Sequence, residues 1–400
     1  MRIAAVVENF NDLEGEIWRD GLAAAIREKT GADYVITAMA GDFLENICLA
    51  AEEKYRRAEW ACAAGMDMAL ELPVSVCLSD LATKAFSSLS MLKRLYGVDD
   101  LVILCHRETG KKLSSITDFI FRASPEYRAE LGRCLQREED FFAAQAQAAE
   151  RFFPGAADLL SDPYNQTAVE LLKARYQLYW TIKPVFLDIE ELEAGQSKEE
   201  PDKAAKPEKA TKRDKAAEPN FKAEQKQAAL FLGGRLRQLF QGMSEEEGKR
   251  RLEGTPDGGP ELLECIREKM GELKQTEDLE EMVQVLWEKT LSGKPIPKNT
   301  IRAFLLQLLI GIQRGNLIIC GLRANCPYTR VLGMKPDAAP VLSYLQEKSW
   351  VPLLVELSYE AEQRAQERKK LDECGQMLAA LDDAAHELYL QSRRGSRSDL

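Results

Sequence analysis

Histidine is what this 400-residue sequence has least of: His106 and His386 are its only two, far apart along the chain. Chemistry that needs clustered imidazoles must bring this pair together or be absent. The nine cysteines, at 48, 62, 77, 105, 134, 265, 320, 326 and 374, form no Cys-x-x-Cys pair. That spacing speaks against zinc and disulfides and for reduced, buried thiols in a cytosolic protein. No stretch approaches the ~18–20 uninterrupted apolar residues of a membrane span. The longest, IRAFLLQLLIGIQ, is broken by Arg302 and Gln307. The opening MRIAAVVENF is too short for a signal h-region and reads as a first strand. Neither a Walker-type GxxxxGKS/T nor a GxGxxG follows that strand, so the common glycine-rich phosphate cradles are missing. Positive charge is short as well. A net charge of -11 and a pI near 5.1 argue against wholesale nucleic-acid or membrane-surface binding and leave room for a local basic patch.

What is present is ordinary globular composition, 45% hydrophobic and 30% charged, with room for two domains. Short apolar runs alternate with helical patterns over residues 1–189. IAAVVE, ADYVITAMA, MDMALELP, DDLVILC and PVFLDI read as five strands, with helices over about 15–29, 51–64, 80–96 and 125–180. Strands apolar on both faces and separated by helices predict a doubly wound, Rossmann-like α/β parallel sheet. Ligands of such sheets sit at the carboxyl ends of the strands, here the loops beginning at Glu8, Ala40, Leu72 and Cys105. Residues 190–226 mix charge, Ala and Pro with few large apolar residues, and read as a flexible linker or a fraying, charge-laced helix. From 227 to 400 the pattern is mainly helical, which predicts an α-helical C-terminal domain with a strand-like interruption at WVPLLVEL.

The first turn reads Glu8-Asn9-Phe10-Asn11-Asp12-Leu13-Glu14-Gly15-Glu16. It is acidic, and carboxylates repel the anion that a helix N-terminus attracts. Asp12 reads as a helix N-cap and Gly15 as a close-packing position.

The run VVENFNDLEGEI resembles the first strand and loop of the bacterial tRNA(Met) cytidine acetate ligase family, roughly V-x-E-Y-N-P-F-H-N-G-H. Glu8 and Gly15 match, whereas the two family histidines fall on Leu13 and Glu16. AMAGDFLENICLAAEEKYRRAEWACAAGMDMALELP is similar without gaps to the family's second motif, keeping Gly41, Phe43, Lys54, Arg57, Ala58, Glu59, Gly65, Asp67, Glu71, Leu72 and Pro73. DPYNQTAVELLKA keeps Pro163, Asn165, Glu170 and Lys173, and YTRVLGM keeps Tyr328, Arg330, Val331, Leu332 and Gly333.

The resemblance implies a nucleotidyltransferase-like domain that activates acetate with ATP and Mg. The acetyl group then passes to the wobble cytidine of elongator tRNA(Met), which the helical region helps to hold. On that basis Glu8, Gly15, Lys54 and Asn165 are the expected ATP-binding residues, and Lys294, Arg302, Tyr328 and Arg330 the expected RNA-binding ones. No metal ligand and no catalytic residue is assigned. The residues leave other readings open: ion pairs on a solvated helix face for Lys54 and Arg57, a loop cap for Glu8, turn chemistry for Asn165, a packed turn for Tyr328–Arg330. The departures cluster where ATP would sit. Leu104 stands for a family glycine after the fourth strand, and Phe186, Leu187, Asp188 and Ile189 stand for Thr-Ile-x-Arg after the fifth. An ionised Glu16 cannot donate to a triphosphate and Leu13 offers nothing polar. The sequence therefore predicts impaired or lost catalysis, or else a non-catalytic RNA- or protein-binding regulator on the same scaffold.

Overall fold

The computed structural model describes residues 1–11, 18–44, 49–107, 110–137, 141–196, 217–290, 296–319 and 326–397. β1 (Ile3–Val7) leads through α1 (Trp18–Thr30), β2 (Tyr34–Ala40), α2 (Lys54–Ala63), β3 (Met68–Leu72), α3 (Val74–Cys77) and α4 (Leu81–Arg94) to β4 (Asp100–Cys105). Helices α5 (Gly110–Arg122), α6 (Pro125–Cys134), α7 (Phe141–Glu150), α8 (Ala156–Leu160) and α9 (Pro163–Gln177) precede β5 (Pro184–Asp188). Then come α10 (Ile189–Gln196), α11 (Ala217–Gly242), α12 (Glu245–Gly254), α13 (Pro260–Leu273), α14 (Leu279–Thr290), α15 (Lys298–Ile310) and α16 (Arg314–Ile319). The chain closes with β6 (Thr329–Met334), α17 (Ala339–Lys348), β7 (Leu353–Val355), α18 (Ala361–Arg368) and α19 (Glu373–Arg397).

Among the described residues one sheet runs β5-β4-β1-β2-β3-β6-β7. The five strands expected from the sequence are present and mutually parallel. β1 is central because IAAVV is apolar on both faces. Ala4 and Val6 pack with Leu22 and Ile26 of α1 and Ala58 of α2; Ile3 and Ala5 join the core that contains Leu89 of α4 and Leu172 of α9. Each such large aliphatic side chain contributes about 1.5–3 kcal/mol of burial. The strand order reverses between β1 and β4, which puts the ligand crevice of this topology at their carboxyl ends.

Three expectations change. The charged segment expected over 190–226 is helical at both ends, in α10 and α11, and its residues 197–216 lie outside the described ones. Helix α5 starts ahead of the helical stretch read from the sequence. Most consequentially, YTRVLGM is not a turn: it forms β6, which pairs antiparallel with β3, and β7, within the strand-like WVPLLVEL, pairs parallel with β6. The sheet thus draws two strands from the region read as the helical domain. Gly333 makes this docking feasible, because a Cβ there would lie 3.0 Å from both the Cβ and the carbonyl oxygen of Ala58 on α2. The apolar core is correspondingly continuous, running from β1–β4 into α11, α13, α14, α15 and α19. No described helix is long and apolar enough to cross a membrane.

Candidate functional site at the carboxyl ends of the strands

Glu8 ends β1 at the switch point. Its carboxylate Oε1 accepts from the Phe10 backbone N–H at 3.2 Å and from Arg19 Nε at 3.0 Å, and the side chain is buried. Asn9 Oδ1 accepts from Ala40 N at 2.8 Å and Asn11 Oδ1 from Ala51 N at 2.8 Å, so this loop is tied to the one after β2. Gly15, with Asp12, Leu13, Glu14 and Glu16, lies outside the described residues.

Across the crevice, β4 delivers His106. Its backbone N–H donates to Asn165 Oδ1 at 3.0 Å, and its Nδ1 lies 2.6 Å from Asp162 Oδ2. Asp162 is the N-cap of α9, accepting from Tyr164 N at 2.9 Å and Asn165 N at 3.1 Å, and Pro163 pre-sets the first turn. Asn165 is fully buried, and its Nδ2 donates to Leu159 O at 3.0 Å. It holds the His106 backbone. Arg107 has φ 64°, in the left-handed region, and pairs with Asp158.

Glu8, Asp162 and Asp188 place carboxylates at the ends of β1, α9 and β5. Glu8 engages Arg19, and Asp162 engages the His106 imidazole. Among the described residues, the carboxylates at this crevice are thus engaged by protein partners. Among the described residues no group of three His, Cys, Asp or Glu side chains could hold a metal ion.

Behind β2 and β3 lies a second assembly, built largely from the motif residues. Arg57, fully buried, donates to the carbonyls of Asn9, Ala40, Gly41 and Glu52, clamping the ends of β1 and β2. Lys54 is also fully buried, with Nζ 2.7 Å from Glu71 Oε1. Glu71 Oε2 meets Arg330 Nη1 at 2.6 Å, and Arg330 Nε lies 3.1 Å from Glu356 Oε2, with Asp382 at 3.6 Å from Nη2. Tyr328 donates its hydroxyl to Asp382, whose other oxygen accepts from Val74 N at 2.8 Å. Asp42 receives the Lys54 backbone N–H and lies 2.7 Å from His386 Nδ1 on α19. Gly41 leaves room for all this, since a Cβ there would sit 2.7 Å from Glu71 Oε1.

Burial drives the titration of these groups in opposite directions according to their partners. It would raise Glu71, but Lys54 and Arg330 outweigh it and hold that carboxyl below its ordinary value. Burial likewise opposes the ionised Asp42, and the His386 hydrogen bond and charge lower it on balance. Burial raises Asp382 to about 6, the Arg330 charge offsetting only part of the effect, and it also raises Glu356. Two cations, Lys54 and Arg330, face three carboxyls, Glu71, Glu356 and Asp382. The surplus negative charge makes Asp382 the place where the cluster takes up a proton.

A family model described as HIGH nucleotidyl transferase matches residues 21–398. The chain belongs to the HIGH nucleotidyl transferase family. It is a homologue of tRNA(Met) cytidine acetate ligases: it is 22% identical to that of Clostridium novyi over 89% of this chain and 90% of the relative. Another, from Caldanaerobacter subterraneus, is 28% identical over 39% of this chain and 39% of its own. The fold superimposes on Thermotoga maritima TmcAL bound with alpha-thio ATP with a TM-score of 0.73 at 18% identity, covering 98% of this chain and 96% of that one.

Within this family member, the expected contacts sort as follows. Glu8 and Asn165 lie at the crevice with protein partners. Lys54 is not on a solvated helix face: it is fully buried, with its Nζ on Glu71. Tyr328 and Arg330 cannot reach RNA, being 1% and 0% exposed in β6. Lys294 lies outside the described residues. Arg302 lines a cavity of about 520 Å³ between α11, α14, α15 and Leu49. There it is held by Glu280 at 2.8 and 2.6 Å and by Asn299 at 2.6 Å, so its charge is largely matched before any RNA arrives. The sequence reading missed Asp162, which the Asp-Pro start of α9 could have marked as a cap. It also missed Asp42, Glu356 and Asp382, for which no local pattern exists.

Proposed function

We propose that this chain is a divergent tRNA(Met) cytidine acetate ligase homologue in which ATP-dependent activation of acetate is impaired or lost. The observation that carries the reading is in the first turn, where the family's two imidazoles are replaced by Leu13 and Glu16. Removing one preorganised donor from a transition-state site costs on the order of 10²–10³ in rate. Two losses, with a carboxylate put in the place of one donor, compound that.

The rest of the molecule supports the reading by offering no substitute among the matched lysines. Lys54 is bound to Glu71, and Lys173 Nζ lies 2.7 Å from Glu170. The cations kept from the family pattern serve the fold: Arg57 holds loop carbonyls and Arg330 holds β6 to β3. In this reading RNA is the ligand that the scaffold still receives, and the nucleotide chemistry is what has relaxed.

The test is a single-turnover assay of the purified chain with Mg-ATP, labelled acetate and a tRNA(Met) transcript. Acetyl-AMP and acetylated RNA are expected at background level while the transcript is retained by the protein. Acetyl transfer at a rate matching the Thermotoga maritima protein assayed alongside would overturn the proposal.

A further inference from the structure

Away from the crevice, the helix ends that lead back into β4 and β5 carry an unusual arrangement. Tyr96 directly follows the C-cap of α4 and Tyr179 that of α9. Both occupy the left-handed backbone region, with φ 54° and 49°. That position at a helix end is where glycine is cheapest, and a tyrosine there is under mild strain. Neither ring gains burial in return: Tyr96 is 51% exposed and Tyr179 is 90% exposed.

The two ends are joined, because Lys93 Nζ donates to Leu178 O at 2.6 Å. Trp350, 73% exposed, stacks on Tyr96 with centroids 4.6 Å apart and planes at 19°, and its backbone N–H donates to Arg94 O at 2.9 Å. On the other side Phe121, itself 42% exposed, meets Tyr176 at 5.2 Å. Exposed aromatic rings therefore stand near the ends of α5, α9 and α4 and after α17, as the contacting pairs Phe121–Tyr176 and Tyr96–Trp350 and the ring of Tyr179.

Charge near these rings opposes that of the molecule. Lys93, Arg94, Arg122, Arg175, Lys183 and Lys348 stand near these rings in sequence, against Asp99, Asp118 and Glu347; Arg122 is paired with Asp118, and Lys93, Arg94 and Arg175 each donate to a main-chain carbonyl. Arg175 lies over the Tyr176 ring at 4.6 Å and Lys348 over Tyr344 at 6.0 Å. On a chain of net charge -11 this is a local cationic zone. A second copy of the chain is a poor fit, since a two-fold contact would set these cations against themselves. A polyanion whose flat faces can stack suits both features at once.

We propose that these rings form a binding surface for unstacked nucleotides of RNA, separate from the strand-end crevice. Bases stack on Tyr179 and on the Tyr96–Trp350 pair, and the nearby lysines and arginines follow the phosphates. The outward rings explain why strained tyrosines stand where glycine would fold more easily.

The test uses the full chain, a fluorescent oligouridylate and no ATP or acetate, so that its outcome does not depend on the fate of the acetate chemistry. The variants are Tyr96→Gly with Tyr179→Gly, and separately Trp350→Ala. Glycine relieves the backbone strain, so the double variant should melt at the same temperature as the wild type or higher. Its affinity for the oligonucleotide should nevertheless fall about tenfold or more for each ring removed, and wild-type binding should weaken steeply with added salt. Variants that bind like the wild type, or a wild type that does not bind oligouridylate, would overturn the surface. Retention of a tRNA(Met) transcript by such variants would leave the function proposed above standing. A surface whose loss abolishes self-association in sedimentation, with RNA binding intact, would mean a protein contact and sink the RNA assignment.

Discussion

Arg330 shows how much of this molecule rests on single charged groups. Fully buried among Glu71, Glu356 and Asp382, it compensates carboxylates that cannot reach water. Arg330→Met should therefore destabilise the chain by about 3–5 kcal/mol, the cost of leaving buried charge unpaired, read as a lower urea midpoint. Asp382 gives a pH signature of the same cluster. Its folded value of about 6 stands above the ordinary 3.8, so the stability it contributes is full below pH 3.8 and is lost as pH rises through 6. Asp382→Asn keeps an acceptor for Val74 N and removes the titration. Relative to this variant, the wild type should lose up to about 3 kcal/mol between those limits. A flat difference across that range would show that another group carries the proton. The motif residues Lys54, Arg57 and Arg330 were legible in the sequence, but their surroundings were not. Arg330 meets Glu356, just after β7, and Asp382 of α19, and sequence spacing carries no trace of that meeting.

At the scale of elements, the N-terminus of α9 is the hinge between fold and crevice. Asp162→Ala removes the acceptor for two backbone N–H groups and the partner of His106, which should cost about 1–2 kcal/mol. Hydrogen exchange should quicken in the first turn of α9 and at the His106 amide, whereas β1 should be unaffected. The start of this helix could be read from Asp-Pro, and the parallel strands from runs such as IAAVV and LVILC. Helices α13, α14 and α15 announced themselves through apolar residues at three- and four-residue spacing. β6 did not. Its six residues sit between helices, and its strand character depends on pairing with β3, a tertiary fact that outweighs local pattern.

For the whole molecule, the continuous core and the β3–β6 pairing predict one cooperative unit. A fragment spanning residues 1–196 lacks the strand that covers β3 and the helix α19 that packs over α3. It should show no cooperative thermal transition, whereas the full chain should melt in a single step with coincident far- and near-ultraviolet signals. A fragment that melts cooperatively would contradict this and support separate domains. The sequence conveyed the architecture well, and its lack of clustered histidine is the ground for the proposed change in chemistry, but the sealing of Lys54 and Arg330 required the fold. The account turns on the electrostatics of the first turn, and calorimetric titration of the full chain with Mg-ATP measures that directly. No saturable binding in the micromolar range is expected, with Glu16→Gln improving whatever weak affinity exists. Tight, micromolar binding by the wild-type chain would contradict the account.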